Sequence, residues 1–423
     1  MIMKIHVSTN GCEVGQLYSM HVQQFFLKNN PSLLVTEDPG EADLVILYAC
    51  GLTEGTEKDS LSIIKALKSR MKPSAKLVVW GCLPKVNPKS LSASYTGPIL
   101  GPSDMSSFEE ILEKTTLHQC TVPINIADAN LPIPRKTFGS DGLSGSPNTI
   151  NDHVFPLFNK YLGKLTQKLS YRQPANLPSP TFYVRVAEGC TSHCTYCSEH
   201  LVWGKTRSRP IEKIISEFKL GLQKGYSRFF LCAEDFGAYG VDIGCTACDL
   251  LRRIVKLDSE TEYKIIINEM SPSYLKAMFS DFEEIFASGK IETLGCQVES
   301  GSNRILRLMG RRYAAEEWRE YMLYVNRKFP DIRLATHFMV GFPTETEEDF
   351  KATEKLLDYP LFLKEIIIFK FSARPTVPAS RMSGHIPESI KELRFRRLQR
   401  KFLYMYSFNT TIRCARSLAR RFK

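Results

Sequence analysis

Short apolar runs alternate with stretches of helical periodicity over residues 1–115. Three of the runs have the length and composition of buried strands: Lys4–Ser8, Leu44–Leu47 and Leu77–Trp80. In the stretches that follow, apolar residues recur every three or four positions, as in Val14–Lys28 and Ser60–Lys68, which is typical of amphipathic helices. Strands that alternate with helices predict an N-terminal α/β domain built on an open parallel sheet.

The same alternation resumes at Thr181 and continues to Met382. Its six units of strand and helix predict a parallel sheet curved into a partial TIM-like (βα)6 barrel, with the active site at the carboxyl ends of the strands. The predicted strands are Tyr183–Ala187, Arg228–Cys232, Lys264–Ile267, Thr293–Val298, Leu334–Val340 and Glu365–Lys370, and the predicted helices include Ile211–Gln223, Ala315–Lys328 and Glu347–Asp358.

A linker over residues 116–180 separates these two domains. Its segment Thr137–Asn148 is rich in Gly and Ser and predicts a flexible connection. Between Val154 and Leu169 apolar residues recur at helical spacing. They predict a short amphipathic helix, which either packs on the body of the protein or receives a partner.

Positive charge is concentrated in residues 383–423, for which we predict a basic helical extension. The net charge is +11, and Leu393–Lys423 has ten Lys or Arg without Asp or Glu, so the preceding residues carry only +1. Such a tail favours nucleic acid or another polyanion. The alternative is a docked helix with a solvated basic face, because apolar residues recur in it at helical spacing. These residues are Phe395, Leu398, Phe402 and Tyr406.

The composition argues against a membrane protein and against a secreted one. No apolar stretch is long enough to span a bilayer and no secretory leader opens the chain, so we expect a cytoplasmic protein without membrane contact. Twelve cysteines in such a chain predict metal ligands and buried thiols rather than disulfides. Cys245 and Cys248 have C-x2-C spacing without a second pair, and we interpret them as thiols without a function.

Three cysteines stand within eight residues, directly after the first predicted strand of the barrel: Cys190, Cys194 and Cys197. Because an iron–sulfur cluster is held by about one thiolate per iron, three ligands fix a four-iron cluster and leave one iron open. An open coordination position makes a metal site catalytic rather than structural. We therefore predict that these cysteines bind a cluster and form the catalytic centre of a redox enzyme.

One cysteine also follows each of the three N-terminal strands: Cys12, Cys50 and Cys82. The carboxyl ends of parallel strands meet at one edge of a sheet, so these three cysteines are expected to converge there. The pattern predicts a second metal cluster. Chance placement of buried thiols is the alternative.

The CxxxCxxC spacing and the motifs around it resemble the methylthiotransferase branch of the radical S-adenosylmethionine enzymes. The resemblance implies two 4Fe–4S clusters and S-adenosylmethionine as cofactors. At the first cluster S-adenosylmethionine would yield a 5′-deoxyadenosyl radical that activates a C–H bond. The auxiliary cluster at Cys12, Cys50 and Cys82 would deliver sulfur as a methylthio group. The motifs are Val184–Cys190, Gly204–Pro210, Gln297–Ser302, Arg304–Arg311, Val340–Thr346 and Phe371–Thr376.

The resemblance also implies contacts to S-adenosylmethionine. Tyr196 would contact the adenine, and Glu234 would accept a hydrogen bond from the methionine amino group. Packing and solvent exposure are the alternatives for these two residues. Further contacts, to the ribose, the carboxylate or the adenine, fall to Glu299, Ser300, Arg311 and Met339, for each of which a packing role is the alternative.

The substrate is the least determined part of the resemblance. Relatives that modify tRNA or ribosomal protein carry a small β-barrel domain, TRAM, and the residues after Met382 are too few and too helical to form it. We therefore expect a peptide or small-molecule natural-product substrate. The alternatives are a tRNA base bound through the basic tail, and sulfur insertion or cyclisation without methyl transfer. A flavodoxin- or ferredoxin-type protein would supply electrons.

Overall fold

The computed structural model describes residues 3–10, 13–29, 33–102, 181–358, 361 and 363–421. The predicted linker at 116–180 and Cys12 lie outside these residues.

The N-terminal domain is a parallel five-stranded sheet in the order β2-β1-β3-β4-β5. The central strand β3 is buried at every position, and its uninterrupted apolar sequence is that of a strand covered on both faces. The predicted open parallel sheet is thereby confirmed. The strands are β1 Lys4–Thr9, β2 Leu34–Val35, β3 Leu44–Tyr48, β4 Lys76–Trp80 and β5 Ile99–Leu100, and the helices are α1 Glu13–Asn29, α2 Glu54–Arg70, α3 Leu83–Val86 and α4 Pro88–Ser92.

The second domain is a parallel six-stranded sheet in the order β13-β12-β11-β10-β9-β6, with one strand from each predicted unit. This confirms the partial barrel. A short antiparallel pair, β7 with β8, was not predicted and flanks the cysteine-rich loop. The strands are β6 Thr181–Arg185, β7 Ala187–Glu188, β8 Arg207–Ser208, β9 Arg228–Cys232, β10 Lys264–Met270, β11 Ile291–Cys296, β12 Arg333–Val340 and β13 Glu365–Lys370.

The helices of this domain alternate with its strands. The helices are α5 Glu199–Trp203, α6 Ile211–Gln223, α7 Ala247–Val255, α8 Pro272–Ala277, α9 Phe279–Ala287, α10 Asn303–Leu308, α11 Ala315–Lys328, α12 Glu347–Lys355 and the terminal α13 Glu388–Arg421. The three helices predicted with bounds, α6, α11 and α12, agree with the prediction to within three residues.

Helix α1 of the N-terminal domain closes one side of the half-barrel. Its Leu17 is fully buried in a cluster with Phe230 and Cys232 of β9 and Ile266 of β10. Successive side chains of a strand point to opposite faces of the sheet. The neighbouring residues of β9 and β10, such as Leu231 and Ile265, pack in the main core on one face, so the cluster with Leu17 covers the other face. The two domains therefore share apolar contacts along the inner wall of the barrel.

The terminal helix α13 packs against the barrel. Phe395, Leu398, Phe402 and Tyr406 are at most 9% exposed. Of the two alternatives for the tail, the docked helix therefore describes this apolar face. Within the described part of the chain, neither this 34-residue helix nor any other combines the length and apolar character needed to cross a membrane.

Replacing Leu398 by Ala should lower the free energy of unfolding by about 2–5 kcal/mol, because the fully buried side chain leaves a cavity. Urea unfolding of the full-length protein, followed by circular dichroism, measures this effect. Leu393 is 49% exposed on the same helix and is the matched control, for which Leu393→Ala should change stability by less than about 0.5 kcal/mol. Equal effects of the two substitutions would show that the helix is not docked.

Candidate active site

The loop that carries Cys190, Cys194 and Cys197 lies at the carboxyl end of β6, between β7 and α5. The Cys190 N–H donates to the Gly204 carbonyl at 3.0 Å, which fixes the start of the loop. Gly189 has φ +82°, and a Cβ there would lie 2.4 Å from the Lys205 carbonyl oxygen. Only glycine fits this position, so the loop approaches β8 more closely than another residue would permit.

Each of the three thiols in this loop accepts a hydrogen bond. The Ser192 N–H donates to Cys190 Sγ and the Glu199 N–H to Cys197 Sγ, both at 3.4 Å. The Arg311 guanidinium donates to Cys194 Sγ at 3.5 Å. Such bonds favour the thiolate form that metal ligation requires. The three predicted ligands are therefore brought together, and the donor set fits an iron–sulfur cluster.

The arrangement does not fit a single metal ion. Among the described residues, no group of three or more His, Cys, Asp or Glu side chains converges on one ion position. A four-iron cluster binds one cysteine at each iron, so its thiolates need not meet at one point. Burial raises the pKa of the Cys190 thiol to about 11, with a further contribution from Asp235, so the bound irons must offset the cost of ionising it.

Arg311 connects the cysteine loop to the strand ends of the barrel. Its Nη2 donates to the Gln297 carbonyl at 2.9 Å and lies 3.6 Å from Glu299 Oε1, while its Nε donates to Tyr313 at 3.0 Å. Burial raises the pKa of Glu299, while the Arg311 charge and the Tyr196 side chain act to lower it. Tyr196, Glu299 and Arg311, all predicted from the sequence, thus form one cluster beside Cys194.

Glu299 is held in a strained backbone conformation. Its φ is +66°, a left-handed value that is uncommon for any residue other than glycine. Two hydrogen bonds to β12 hold it there, since its N–H donates to the His337 carbonyl at 2.9 Å and its carbonyl accepts from the Met339 N–H at 2.8 Å. Such strain is found at functional sites, where the surrounding structure fixes a side chain in position. Met339 is thereby placed next to this cluster.

Two other predicted residues have different surroundings. Glu234 forms a buried ion pair with Arg185 and accepts the Gly189 N–H at 2.8 Å. A carboxylate has about four acceptor positions, so Glu234 can still receive a further donor. Ser300 is fully buried, and its hydroxyl lies 3.3 Å from that of Thr353 in α12. The structure therefore places Ser300 in the packing of α12 rather than in the cluster around Arg311.

Cys50 and Cys82 follow the neighbouring strands β3 and β4, side by side at the carboxyl edge of the N-terminal sheet. The Cys50 N–H donates to Asn10 Oδ1 at 2.9 Å, so the end of β1 also adjoins Cys50. The Tyr48 hydroxyl lies 3.3 Å from Cys82 Sγ. Two of the three predicted auxiliary ligands are thus brought together, and the third, Cys12, lies outside the described residues.

Glu199 lies within electrostatic reach of both sets of cysteines, and sequence reasoning missed it. Its charge raises the pKa of the Cys50 thiol as well as that of Cys197, although burial is the larger cause in each case. The Oε2 atom of its carboxylate is buried without a hydrogen-bond partner among the described residues. Burial raises the pKa of Glu199 to about 8. Val202 and Trp203 of the same helix α5 pack in one apolar cluster with Cys82, so this helix links the two cysteine sets.

Arg374 joins the two domains and was also missed, although it lies in the motif Phe371–Thr376 after β13. Its guanidinium forms a buried ion pair with Glu57 of α2, which also accepts two bonds from Asn87 at 3.0 and 3.1 Å. The Glu54 N–H donates to Ser372 Oγ at 3.1 Å. Burial lowers the pKa of Arg374, while the negative charges of Glu54 and Cys50 act to raise it. A cation of the barrel domain therefore stands beside a cysteine of the N-terminal domain.

Two family models match the chain. The radical SAM superfamily model matches residues 184–357, which include the cysteine loop. A model described as "Uncharacterized protein family UPF0004" matches residues 4–99, the N-terminal sheet.

Relatives with assigned functions match almost the whole chain. The tRNA-2-methylthio-N(6)-dimethylallyladenosine synthase of Aquifex aeolicus is 30% identical over 406 residues, which are 94% of this chain and 83% of that protein. The threonylcarbamoyladenosine tRNA methylthiotransferase of Thermotoga maritima is 27% identical over 403 residues, 94% of this chain and 81% of that protein.

Among solved structures, the radical S-adenosylmethionine methyltransferase TsrM of Kitasatospora setae, with cobalamin and a 4Fe–4S cluster bound, aligns with a TM-score of 0.58 at 14% identity. The alignment covers 90% of this chain and 77% of TsrM. At this identity the likeness extends to the fold alone.

Replacing Arg374 by Gln should weaken the junction of the two domains, because Glu57 is then a buried charge without its partner. Breaking such a pair costs about 3–5 kcal/mol. Limited proteolysis and urea unfolding of the full chain should show the N-terminal domain opening at lower denaturant concentration than in the wild type.

The control is Lys58→Gln, which removes an exposed pair with Glu54 on the same helix, worth about 0–1 kcal/mol. A second control is the double variant Arg374→Met with Glu57→Gln, in which no charge is left unpaired, so much of the stability should return. An Arg374→Gln protein as resistant as the wild type would contradict the role of this pair.

Proposed function

Because the chain belongs to the radical S-adenosylmethionine methylthiotransferase family, we propose that it attaches a methylthio group to a base of tRNA. The relatives that match 94% of the chain are named for tRNA adenosine derivatives. They support the tRNA alternative rather than the peptide or small-molecule substrate expected from the sequence. The observation that supports the proposal is the position of α5, which begins two residues after Cys197 and packs against Cys82 through Val202 and Trp203.

The two sets have separate tasks. Cys190, Cys194 and Cys197 would hold one 4Fe–4S cluster, and Cys12, Cys50 and Cys82 a second one. The first would supply the electron that cleaves S-adenosylmethionine to methionine and a 5′-deoxyadenosyl radical, which takes a hydrogen atom from the substrate carbon. The second would supply the sulfur that this carbon receives, with a methyl group from a second S-adenosylmethionine. The protein positions the reactants, excludes water and tunes the cofactors. A flavodoxin- or ferredoxin-type protein is the proposed electron donor.

The side chains grouped around Arg311 hold S-adenosylmethionine. The guanidinium binds the carboxylate of the methionine part, for which a charge-assisted hydrogen bond is well suited. Glu299 accepts the ribose hydroxyls, since its strained backbone directs the side chain towards Tyr196 and Arg311. Tyr196 and Met339 line the adenine, and Glu234 accepts from the methionine amino group. Fixed partners of this kind keep reacting atoms in place at little entropic cost.

The substrate base enters beside β12 and β13, where α1 does not cover the barrel. His337 lies on the same face of β12 as Met339, with its ring 5.4 Å from that of Phe369. Its Nε2 lies 4.0 Å from Glu269. Burial lowers the pKa of His337 to about 4, so this imidazole is neutral at pH 7. An aromatic face beside polar groups is what holds a base turned out of an RNA strand.

Iron content and product mass test the proposal. Anaerobically reconstituted wild-type protein should bind about eight irons per chain, for two four-iron clusters. The triple Cys→Ala variant at Cys12, Cys50 and Cys82 should keep about four irons and still cleave S-adenosylmethionine, but without sulfur transfer. The wild type, given total tRNA from a host that lacks this enzyme, should yield a nucleoside whose mass shows a methylthio group in place of one hydrogen.

The matched control is Cys245→Ala with Cys248→Ala, which should leave iron content and product unchanged. Only about four irons in the wild type would contradict the second cluster. Cleavage of S-adenosylmethionine together with tRNA of unchanged mass would contradict the tRNA substrate.

A further inference from the structure

Helix α13 has a second face opposite the one that docks. On this face every third or fourth side chain is exposed, starting at Leu393. We name four of these residues the basic-aromatic stripe. They are Arg396, Arg400, Tyr404 and Phe408.

The aromatic half of the stripe is unusual for a protein surface. Tyr404 is 74% exposed, more than any other large hydrophobic side chain in the described ranges. Its ring is nearly parallel to that of Phe408, which is 44% exposed, with centroids 6.3 Å apart and an angle of 11°. The opposite face already anchors the helix, so docking does not require this pair. Exposed aromatic surface of this kind marks an interaction site.

The basic half of the stripe differs from the basic residues beside it. Arg394, Arg397 and Lys401 form ion pairs with acids of the barrel domain, and these acids are Glu345, Glu347, Glu354 and Asp358. Among the described residues, Arg396 pairs only with Glu392 of its own helix, and its side chain stays 69% exposed. The Arg400 Nε donates to the Arg396 carbonyl at 3.4 Å. After residue 409 the sequence adds five Lys or Arg and no acid. Arg396 and Arg400 therefore add exposed positive charge to a helix whose sequence is strongly basic.

The stripe starts near the edge of the barrel at which the active site opens. Close to its first residue, Lys391 donates to the Phe371 carbonyl and Lys370 pairs with Glu392, both at the carboxyl end of β13. Further along, Lys364 lies over the Tyr406 ring, before β13 begins. The helix thus runs antiparallel to β13. At 1.5 Å per residue the stripe extends about 18 Å away from the site.

We propose that the basic-aromatic stripe is the surface on which this enzyme binds its RNA substrate outside the active site. Unpaired bases stack on Tyr404 and Phe408, while Arg396 and Arg400 contact the phosphates. Aromatic side chains within a basic track are the usual means of holding single-stranded RNA, because every base has a stacking face. The inference rests on the proposed tRNA substrate and adds where that RNA is held.

Point substitutions test the stripe, since deleting the helix would also remove the buried Leu398. The double variant Tyr404→Ala with Phe408→Ala should bind fluorescein-labelled tRNA about 10- to 100-fold more weakly in fluorescence anisotropy. The slope of log Kd against log salt should stay unchanged, because stacking releases no counterions. Arg396→Gln with Arg400→Gln should instead reduce that slope by about 1.4 to 1.8. Tyr404→Phe should retain the affinity of the wild type.

Two controls separate binding from damage. Val241→Ser with Ile243→Ser changes exposed apolar residues elsewhere and should leave the affinity for tRNA unchanged. Cleavage of S-adenosylmethionine in the absence of tRNA should be the same in all stripe variants, because none of these residues touches the active site.

Wild-type affinity in the Tyr404→Ala/Phe408→Ala variant would overturn the inference. The inference would also be overturned if this variant kept its affinity for tRNA but no longer formed dimers in light scattering. The same holds if it kept that affinity but no longer bound phosphatidylglycerol vesicles. If that variant binds tRNA normally while the wild type still methylthiolates tRNA, the inference fails and the proposed function stands. If the stripe binds labelled RNA but no tRNA is modified, the proposed function fails instead.

Discussion

The structure depends on the docking of the N-terminal sheet against the barrel, which brings Cys82 next to α5, the helix that follows Cys197. Each sheet alone brings cysteines to its own edge, but only the junction places Glu199 near both sets. Two kinds of contact hold this junction. Apolar packing of Leu17 of α1 seals one side of the barrel, and the buried pair of Arg374 with Glu57 ties the last barrel strand to α2. A radical enzyme needs such closure, because water and stray side chains compete for the reactive species.

Much of the fold follows from local signals. Uninterrupted apolar runs predicted the central strands, and β9 and β13 have the predicted bounds, because charged residues mark the start of β9 and both ends of β13. The two-residue strands β2 and β5 carry too little sequence to be recognised. The convergence of Cys50 and Cys82 followed from parallel topology alone. By contrast, Glu199 and Arg374 acquire their roles from partners far away in the sequence, which no local pattern reveals.

The same distinction applies to the substrate and to the tail. The expectation of a peptide or small-molecule substrate rested on the TRAM domain, which the sequence did not predict. The lack of one RNA-binding domain does not identify the substrate. The face of α13 that the periodicity singled out is buried. The stripe opposite it, which the periodicity did not mark, carries the exposed charge and the exposed aromatic rings. For Ser300 the motif left packing as an alternative to a contact with the cofactor, and its hydroxyl lies 3.3 Å from that of Thr353.

Electron paramagnetic resonance of the fully reduced enzyme tests most directly whether both cysteine sets open onto one space. Two reduced clusters close to each other couple magnetically. The spectrum of the wild type should therefore be broader than the sum of the spectra of two variants, each of which keeps only one set of cysteines. A wild-type spectrum equal to that sum would contradict the shared space and, with it, direct sulfur transfer from one site to a substrate activated at the other.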